Sequence, residues 1–155
     1  EDEIPEHLRP LVQSLANIPL PTPSLSHATR IQIAAIGVDA PVVQGDGWEQ
    51  LKKGVGQHVG SANPGQKGNI VLSAHNDVFG EIFRDLDQLK PGDEIIISTS
   101  QQSYVYLVSQ TLVVEPTRVE MMAPSPDAIV TLISCYPYLV DDQRIVVTAE
   151  YQGQK

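Results

Sequence analysis

The chain has 155 residues, of which 41% are hydrophobic and 19% charged, and this size and composition are typical of one compact domain. The formal net charge of −9 argues against binding to a nucleic acid backbone, because few cations are available to displace its counterions. Cys135 is the only cysteine, which excludes an internal disulfide framework and a multi-cysteine zinc site. The sequence contains no run of the ~18 apolar residues that a membrane-spanning helix needs.

Residues 1–29 are predicted to form an N-terminal tail or linker. Five of the twelve prolines of the chain lie within its first 23 residues, which favours a stiff and irregular segment. Apolar residues recur at helical spacing over 6–16 and predict one short helix there, as a stalk or a docked appendage. We expect the folded domain to cover residues 30–155.

From Arg30 onward, short runs of β-branched residues bounded by Gly, Pro and Asp predict an all-β fold. Eight short strands favour a closed barrel or a sandwich. Two short helices are expected in the connections: one over 46–54, where Asp46 and Glu49 have capping-box spacing, and one over 80–89. The predicted strands are 30–36, 40–43, 69–75, 93–98, 103–108, 110–114, 129–135 and 144–151.

Cys135 is the first candidate for chemistry. It ends a β-rich run and is followed by Tyr136-Pro137, so the strand is expected to stop there and to present the thiol at the rim of the fold. Alternation along this strand places Cys135 on the same face as Ile133 and Thr131, with Ser134 on the other face. The alternative, which the residues leave open, is a small and inert buried thiol.

His75 is the second candidate, and it also lies at a predicted strand end. His75 closes the run before Asn76, and its imidazole shares a face with Val71 and Ser73. A thiol nucleophile needs a proton-transfer partner of this kind, although an isolated histidine can also be merely solvated. His58 lies in a Gly-rich loop and is the weaker candidate.

Arg144 begins the last predicted strand, nine residues after Cys135. If these two strands pair, the guanidinium returns towards the sulfur, where a fixed cation stabilises a developing oxyanion. The competing interpretation is a surface arginine paired with Asp141 or Asp142.

Other kinds of site have little support. The sequence lacks the glycine-rich loops of dinucleotide and nucleoside triphosphate sites, and the His-Glu-x-x-His of zinc peptidases. Four acidic residues crowd one region and carry the oxygens that Ca²⁺ prefers, but their spacing matches no EF-hand and a solvated acidic face explains them. No cofactor is therefore predicted. The four residues are Asp77, Glu81, Asp85 and Asp87.

Several of these segments, in this order, resemble the sortases, which are bacterial cysteine transpeptidases. TLISC at 131–135 is similar to the family signature T-L-x-T-C, with Ser134 in place of the second threonine. PGQKGNIVLSAHND resembles the strand that ends in the family's catalytic histidine, and FRDLDQLKPGDEI the segment that ends in Leu-x-x-Gly-Asp. Arg144 falls where the family has its arginine, and the resemblance covers roughly residues 30–151.

Details of the motifs favour class D or class E. The Cys-Tyr-Pro sequence and the short span to Arg144 resemble those classes more than class A. Asn76 stands where an arginine is common after the histidine, which bears on subclass more than on activity. The N-terminal tail has no Asp-Pro-aromatic lid motif, which disfavours a pilin-polymerising class C enzyme.

The resemblance implies an eight-stranded sortase-type β-barrel with one or two short helices in its connections. It implies Cys135 as nucleophile, His75 as proton-transfer residue, Arg144 as oxyanion or backbone ligand, and substrate-binding roles for Thr131 and Ser134. The substrate would be a C-terminal sorting signal of LPxTG type on secreted proteins. The acceptor would be an amine from peptidoglycan or another envelope protein.

The location and two alternatives complete the expectations. The family normally carries an N-terminal anchor, so the resemblance implies a protein tethered through its Pro-rich tail to the extracytoplasmic face of the membrane. A cysteine hydrolase on the same barrel would transfer the acyl group to water instead of an amine. An inert β-barrel binding module would leave Cys135 unreactive.

Overall fold

The protein is an eight-stranded closed β-barrel, which confirms the predicted all-β fold. The computed structural model describes residues 27–74, 82–116, 120–136 and 142–155. Within those ranges, every helix is too short or too polar to span a lipid bilayer. The strands are β1 (Arg30–Ile33), β2 (Val38–Gln44), β3 (Val55–Gln57), β4 (Gly68–Ser73), β5 (Glu94–Ser98), β6 (Ser103–Val114), β7 (Ala128–Tyr136) and β8 (Gln143–Gln154). The same described residues contain the helix α1 (Trp48–Leu51) and 3₁₀ turns at Ala34–Ile36, Leu86–Gln88 and Glu120–Met122.

The strand order around the barrel brings distant parts of the chain together. Going round, the order is β1-β2-β3-β4-β7-β8-β6-β5. β4 and β7 are parallel neighbours, and β7 is antiparallel to β8. Parallel neighbours end at the same edge of a sheet, so β4 and β7 both finish at one end of the barrel.

Alternate residues of the strands fill the interior. Val130 and Leu132 of β7 belong to the buried core, as do Ile70 and Leu72 of β4. Tyr106 is also fully buried, and its hydroxyl accepts a hydrogen bond of 3.0 Å from the backbone N–H of Gly65. Burial raises the pKa of Tyr106 to about 12, so the phenol remains protonated at neutral pH.

The predicted number of strands is right, but two of the assignments that compose it were wrong. Residues 103–108 and 110–114 form one strand, β6, which continues through a β-bulge between Val108 and Gln110. β3 was not predicted, because its three residues lie in a Gly-rich stretch too short to show alternation. A Cβ atom at Gly56 would lie 2.5 Å from the carbonyl oxygen of Gly45. Only glycine therefore allows β3 to lie this close to the backbone at Gly45.

Other predicted elements differ from the structure in their extent. Residues 34–36 are a 3₁₀ turn rather than strand, because β1 and β2 pair up to Ile33 and Val38 and the chain must reverse between them. The helix predicted over 46–54 is confirmed as the single turn α1. The helix predicted over 80–89 reduces to the 3₁₀ turn Leu86–Gln88, although part of that segment lies outside the described residues. The predicted helix over 6–16 and nearly all of the tail also lie outside them.

Candidate active site

Cys135 and Arg144 lie directly opposite each other in the β7–β8 ladder. Residues opposed in an antiparallel pair have Cβ atoms roughly 4.5–5.5 Å apart and project from the same face of the sheet. The structure therefore brings together two of the three predicted catalytic residues, and it does so through backbone pairing on both strands. Cys135 is partly exposed and is the penultimate residue of β7, so the thiol lies at the rim.

The thiol belongs to the outer face of the barrel. Val130 and Leu132 point into the core, and the intervening residues of β7 therefore project outward. This outer row contains Thr131, Ile133 and Cys135. The face is not fully open, because Thr131 is only 2% exposed.

Arg144 is partly exposed, and its guanidinium has a neutral partner. Nη1 donates a hydrogen bond of 2.9 Å to the backbone carbonyl of Gln143. Among the residues that the structure describes, no ion pair joins Arg144 to Asp142, while Arg30 and Asp39 do form one. Asp141 lies outside the described ranges. The guanidinium therefore has further N–H groups that can donate hydrogen bonds to an oxyanion.

The ends of β4 and β7 are joined next to the thiol. The hydroxyl of Ser134 donates a hydrogen bond of 2.7 Å to the carbonyl oxygen of Ala74, and the N–H of Ala74 donates to the carbonyl of Ile133 at 3.4 Å. Ala74 is the last described residue before the predicted catalytic histidine, His75, which itself lies outside the described residues. The residue before His75 in the chain is therefore hydrogen-bonded to Ser134, the residue before Cys135.

Thr131 and Ser134, the two predicted substrate-binding residues, have their hydroxyls inside the protein. Ser134 is 3% exposed, and the hydroxyl of Thr131 donates a hydrogen bond of 2.7 Å to Oδ1 of Asn69. Substrate binding by these residues stays a prediction that such bonds disfavour, because a buried hydroxyl must first lose its present partner. The sequence interpretation missed Asn69, although it lies in the Gly-Asn pair of the motif quoted above.

His58, the weaker histidine candidate, lies away from the thiol. Its backbone N–H donates to the carbonyl of Val71, which pairs with Thr131. Cys135 lies four residue steps further along β7 than that row, which is about 13 Å along a strand. Nδ1 of His58 instead lies 2.8 Å from a carboxylate oxygen of Asp46.

The acidic residues considered for Ca²⁺ do not form a metal site among the residues that the structure describes. Asp85 and Asp87 are exposed, while Asp77 and Glu81 lie outside the described residues. Within the described ranges, no group of three His, Cys, Asp or Glu side chains is placed to hold a metal ion.

Comparisons with known proteins identify the family of the chain. A family profile described as "Sortase domain" matches residues 31–152. The chain belongs to the sortase family. Sortases are associated with the cell envelope, and they act in general on sorting signals and amine nucleophiles.

Individual sortases resemble the chain at moderate identity. Sortase D of Bacillus subtilis is 30% identical over 110 residues, which cover 70% of this chain and 54% of that protein. The crystal structure of sortase C-1 from Actinomyces oris has a TM-score of 0.76 at 34% identity, covering 80% of this chain and 73% of that one. The structure of sortase E from Streptomyces avermitilis has a TM-score of 0.75 at 27% identity, covering 85% and 92%.

These relatives carry the names of several sortase classes, so they support the family rather than the predicted class D or E. The chain spans about half the length of the Bacillus subtilis sortase and 38% of the sortase SrtE1 of Streptomyces coelicolor.

Proposed function

We propose that this sortase is a cysteine transpeptidase that cleaves a sorting signal through a thioacyl-enzyme and transfers the acyl group to an amine. The observation that carries the proposal is the direct opposition of Cys135 and Arg144 at the rim of the barrel. A nucleophile and a fixed guanidinium on one face can act on the same carbonyl group, the first at its carbon and the second at its oxygen.

In the first half-reaction, the Cys135 thiolate attacks the carbonyl carbon of the scissile peptide bond. The carbonyl oxygen becomes an oxyanion, which the guanidinium of Arg144 stabilises by hydrogen bonds and charge. The C–N bond then breaks, His75 gives its proton to the departing amine, and a thioester joins the acyl group to Sγ. The position of His75 in the chain supports this role, because Ala74 is hydrogen-bonded to Ile133 and Ser134 beside the thiol.

In the second half-reaction, an amine attacks the thioester carbon and loses its proton to His75. The C–S bond breaks, the thiolate of Cys135 is released, and a new amide bond forms. One histidine serves both steps because the second is the reverse of the first with a different amine.

The substrates and the location follow from the family and from the expectations stated above. We propose an LPxTG-like C-terminal sorting signal on a secreted protein as acyl donor, and an amine from peptidoglycan or from another envelope protein as acceptor. We place the enzyme at the extracytoplasmic face of the membrane, held by an N-terminal anchor in the full-length protein. Among the sortase classes, D or E remains our proposal.

Intact-protein mass spectrometry tests the function directly. The wild-type protein is mixed with LPxTG-, LPxTA- and LAxTG-type peptides, with and without an amine nucleophile. We expect an acyl adduct without the amine and a ligated peptide product with it. Because Cys135 is the only cysteine, peptide mapping of the adduct identifies the attacking sulfur without a variant.

Other products would contradict the transpeptidase. Release of hydrolysed peptide alone, at the same rate with and without the amine, would favour the cysteine hydrolase. Absence of any adduct, together with slow alkylation of native Cys135 by iodoacetamide, would favour an inert barrel.

Arg144→Lys is expected to reduce peptide turnover about 100-fold, because a lysine ammonium cannot reproduce the fork of donors that a guanidinium offers to an oxyanion. The matched control is Arg30→Lys, since Arg30 makes an exposed two-point contact with Asp39 at 2.8 and 2.6 Å. Steady-state turnover of the best peptide measures both variants. If Arg144→Lys were as active as the control, Arg144 would not be the oxyanion ligand.

A further inference from the structure

A buried asparagine joins three parts of the protein at one point. The side chain of Asn69, on β4, accepts the hydroxyl hydrogen of Thr131, on β7, at 2.7 Å. Its Nδ2 donates a hydrogen bond of 3.0 Å to the carbonyl oxygen of Ala123, in the connection between β6 and β7. Asn69 is 5% exposed and Thr131 is 2% exposed.

The chemistry of the partners fixes the orientation of the amide. The carbonyl of Ala123 can only accept a hydrogen bond, so the atom that faces it must be the nitrogen of Asn69. The amide oxygen then faces Thr131, whose hydroxyl donates. Both the oxygen and the nitrogen of the amide therefore have hydrogen-bond partners. An aspartate at this position would place a carboxylate oxygen against the carbonyl oxygen of Ala123, and both of these atoms are acceptors.

The part of the connection that Asn69 holds is short and internally bonded. Residues 120–127 begin with the 3₁₀ turn Glu120–Met122, which the N–H of Ala123 closes on the carbonyl of Glu120 at 3.1 Å. At the other end of the segment, the N–H of Gly68 donates to the carbonyl of Asp127 at 3.1 Å. In the interior of the segment, Asn69 supplies a side-chain bond from β4.

This segment forms one wall of a cavity of about 480 Å³. Residues of the β3–β4 loop and Asn69 of β4 also line this cavity. Thr131, its partner, is four residues from Cys135 along the same outer row of β7, or about 13 Å. An extended peptide of about four residues covers that distance. The lining includes His58, Ser61, Lys67, Asn69, Met122 and Pro124.

We propose that Asn69 is a positioning residue of this sortase that acts on the binding of the acyl-donor peptide. It holds residues 120–127 at a fixed distance from β4 and β7, and so sets the shape of the cavity that receives the acyl-donor peptide about four residues from the scissile bond. Thr131 acts through Asn69, by holding the amide in the orientation that Ala123 requires. This inference rests on the proposed transpeptidase function.

Asn69→Asp is the principal test, because it keeps the acceptor for Thr131 and removes the donor to Ala123. We expect the KM for the best sorting peptide to rise about tenfold, which is the size of effect expected when a buried acceptor loses its hydrogen-bond donor. We expect kcat to change less than about threefold. The rate of Cys135 alkylation by iodoacetamide should not change. Hydrogen exchange should increase in residues 120–127 and not in the β7–β8 ladder.

Two companion variants separate positioning from general damage to the fold. Thr131→Val, which removes the hydroxyl but keeps the shape of the side chain, should also raise KM. Thr131→Ser, which keeps the hydroxyl, should have a KM close to that of the wild type. Because both residues act on one amide, Thr131→Val should add little to Asn69→Asp. Gln102→Glu is the matched control, since it makes the same amide-to-carboxylate change at an exposed hydrogen bond with Gln154.

Two results would overturn the proposal: an unchanged KM in Asn69→Asp, or unchanged hydrogen exchange in residues 120–127. A fall in kcat alone would also do so, because it would place the effect on the chemistry. Failure of the transpeptidase is distinguishable, since the wild type would then form no acyl adduct. Hydrogen exchange in residues 120–127 of the Asn69→Asp variant would still decide whether Asn69 holds this segment.

Discussion

Replacing Cys135 with alanine is expected to abolish acyl-enzyme formation and peptide turnover while leaving the thermal unfolding midpoint nearly unchanged. The chemical loss is complete because the variant has no thiol to attack the peptide carbonyl. Stability is retained because Cys135 is partly exposed at the end of β7, outside the core, and its strand is held by backbone pairing to β8. Deleting its sulfur therefore leaves no buried cavity.

The control for this variant lies three residues away on the same strand. Leu132 is fully buried and points into the barrel, so Leu132→Ala is expected to cost about 2–5 kcal/mol of the free energy of unfolding. Mass spectrometry of the acyl adduct and thermal unfolding, measured on both variants, separate chemistry from packing. Residual adduct in Cys135→Ala would mean that a different side chain attacks the peptide. A large loss of stability in that variant would mean that the thiol is a packed core residue.

The juxtaposition of Cys135 and Arg144 could be predicted because it depends on local features. The two residues lie at the ends of consecutive strands separated by a short connection, and such strands usually pair. Alternation then places opposed residues on one face. The same reasoning correctly placed Thr131 on the face of Cys135. The number of predicted strands left a closed barrel and a sandwich both open, and the resemblance to the sortases implied the barrel.

The role of Asn69 could not be predicted, because it depends on contacts that alternation does not specify. Asn69 and Thr131 are 62 residues apart, and they meet only because β4 and β7 are parallel neighbours. An outward-facing residue is normally solvated, yet Thr131 is buried and its partner Asn69 is bonded to the β6–β7 connection. The spacing of residues within one strand gives no information about what covers that strand.

The missed strand has a related cause. β3 is three residues long, so its register depends on its neighbours rather than on a pattern of its own. Gln57, its last residue, is 1% exposed, and this burial is tolerated because its amide donates to the carbonyl of Ala62 and accepts from Gln44. A polar residue with all its partners inside the fold looks, in the sequence, like a residue of a surface loop.

The two histidine candidates give the last prediction. His75→Ala is expected to reduce turnover of a peptide substrate by roughly 10²–10⁴-fold, the usual contribution of a positioned proton donor. His58→Ala is the matched control and should keep nearly the wild-type kcat at saturating peptide, because His58 lines the peptide cavity but lies too far from Cys135 to exchange its proton. The row that contains the backbone of His58 lies about 13 Å from Cys135 along β7. Direct proton transfer requires heavy atoms within roughly 3.2 Å.

A substrate with a better leaving group identifies what His75 contributes. A thioester analogue of the same peptide expels a thiolate, which departs without a proton, whereas the peptide must expel an amine that needs one. In His75→Ala, acylation by the thioester should therefore be reduced much less than acylation by the peptide. If both substrates lost activity equally, His75 would position the site instead of transferring the proton. If His75→Ala kept more than a few per cent of wild-type activity and His58→Ala did not, the proton-transfer role would belong to His58, and the Nδ1 contact with Asp46 would then be the interaction that orients its ring.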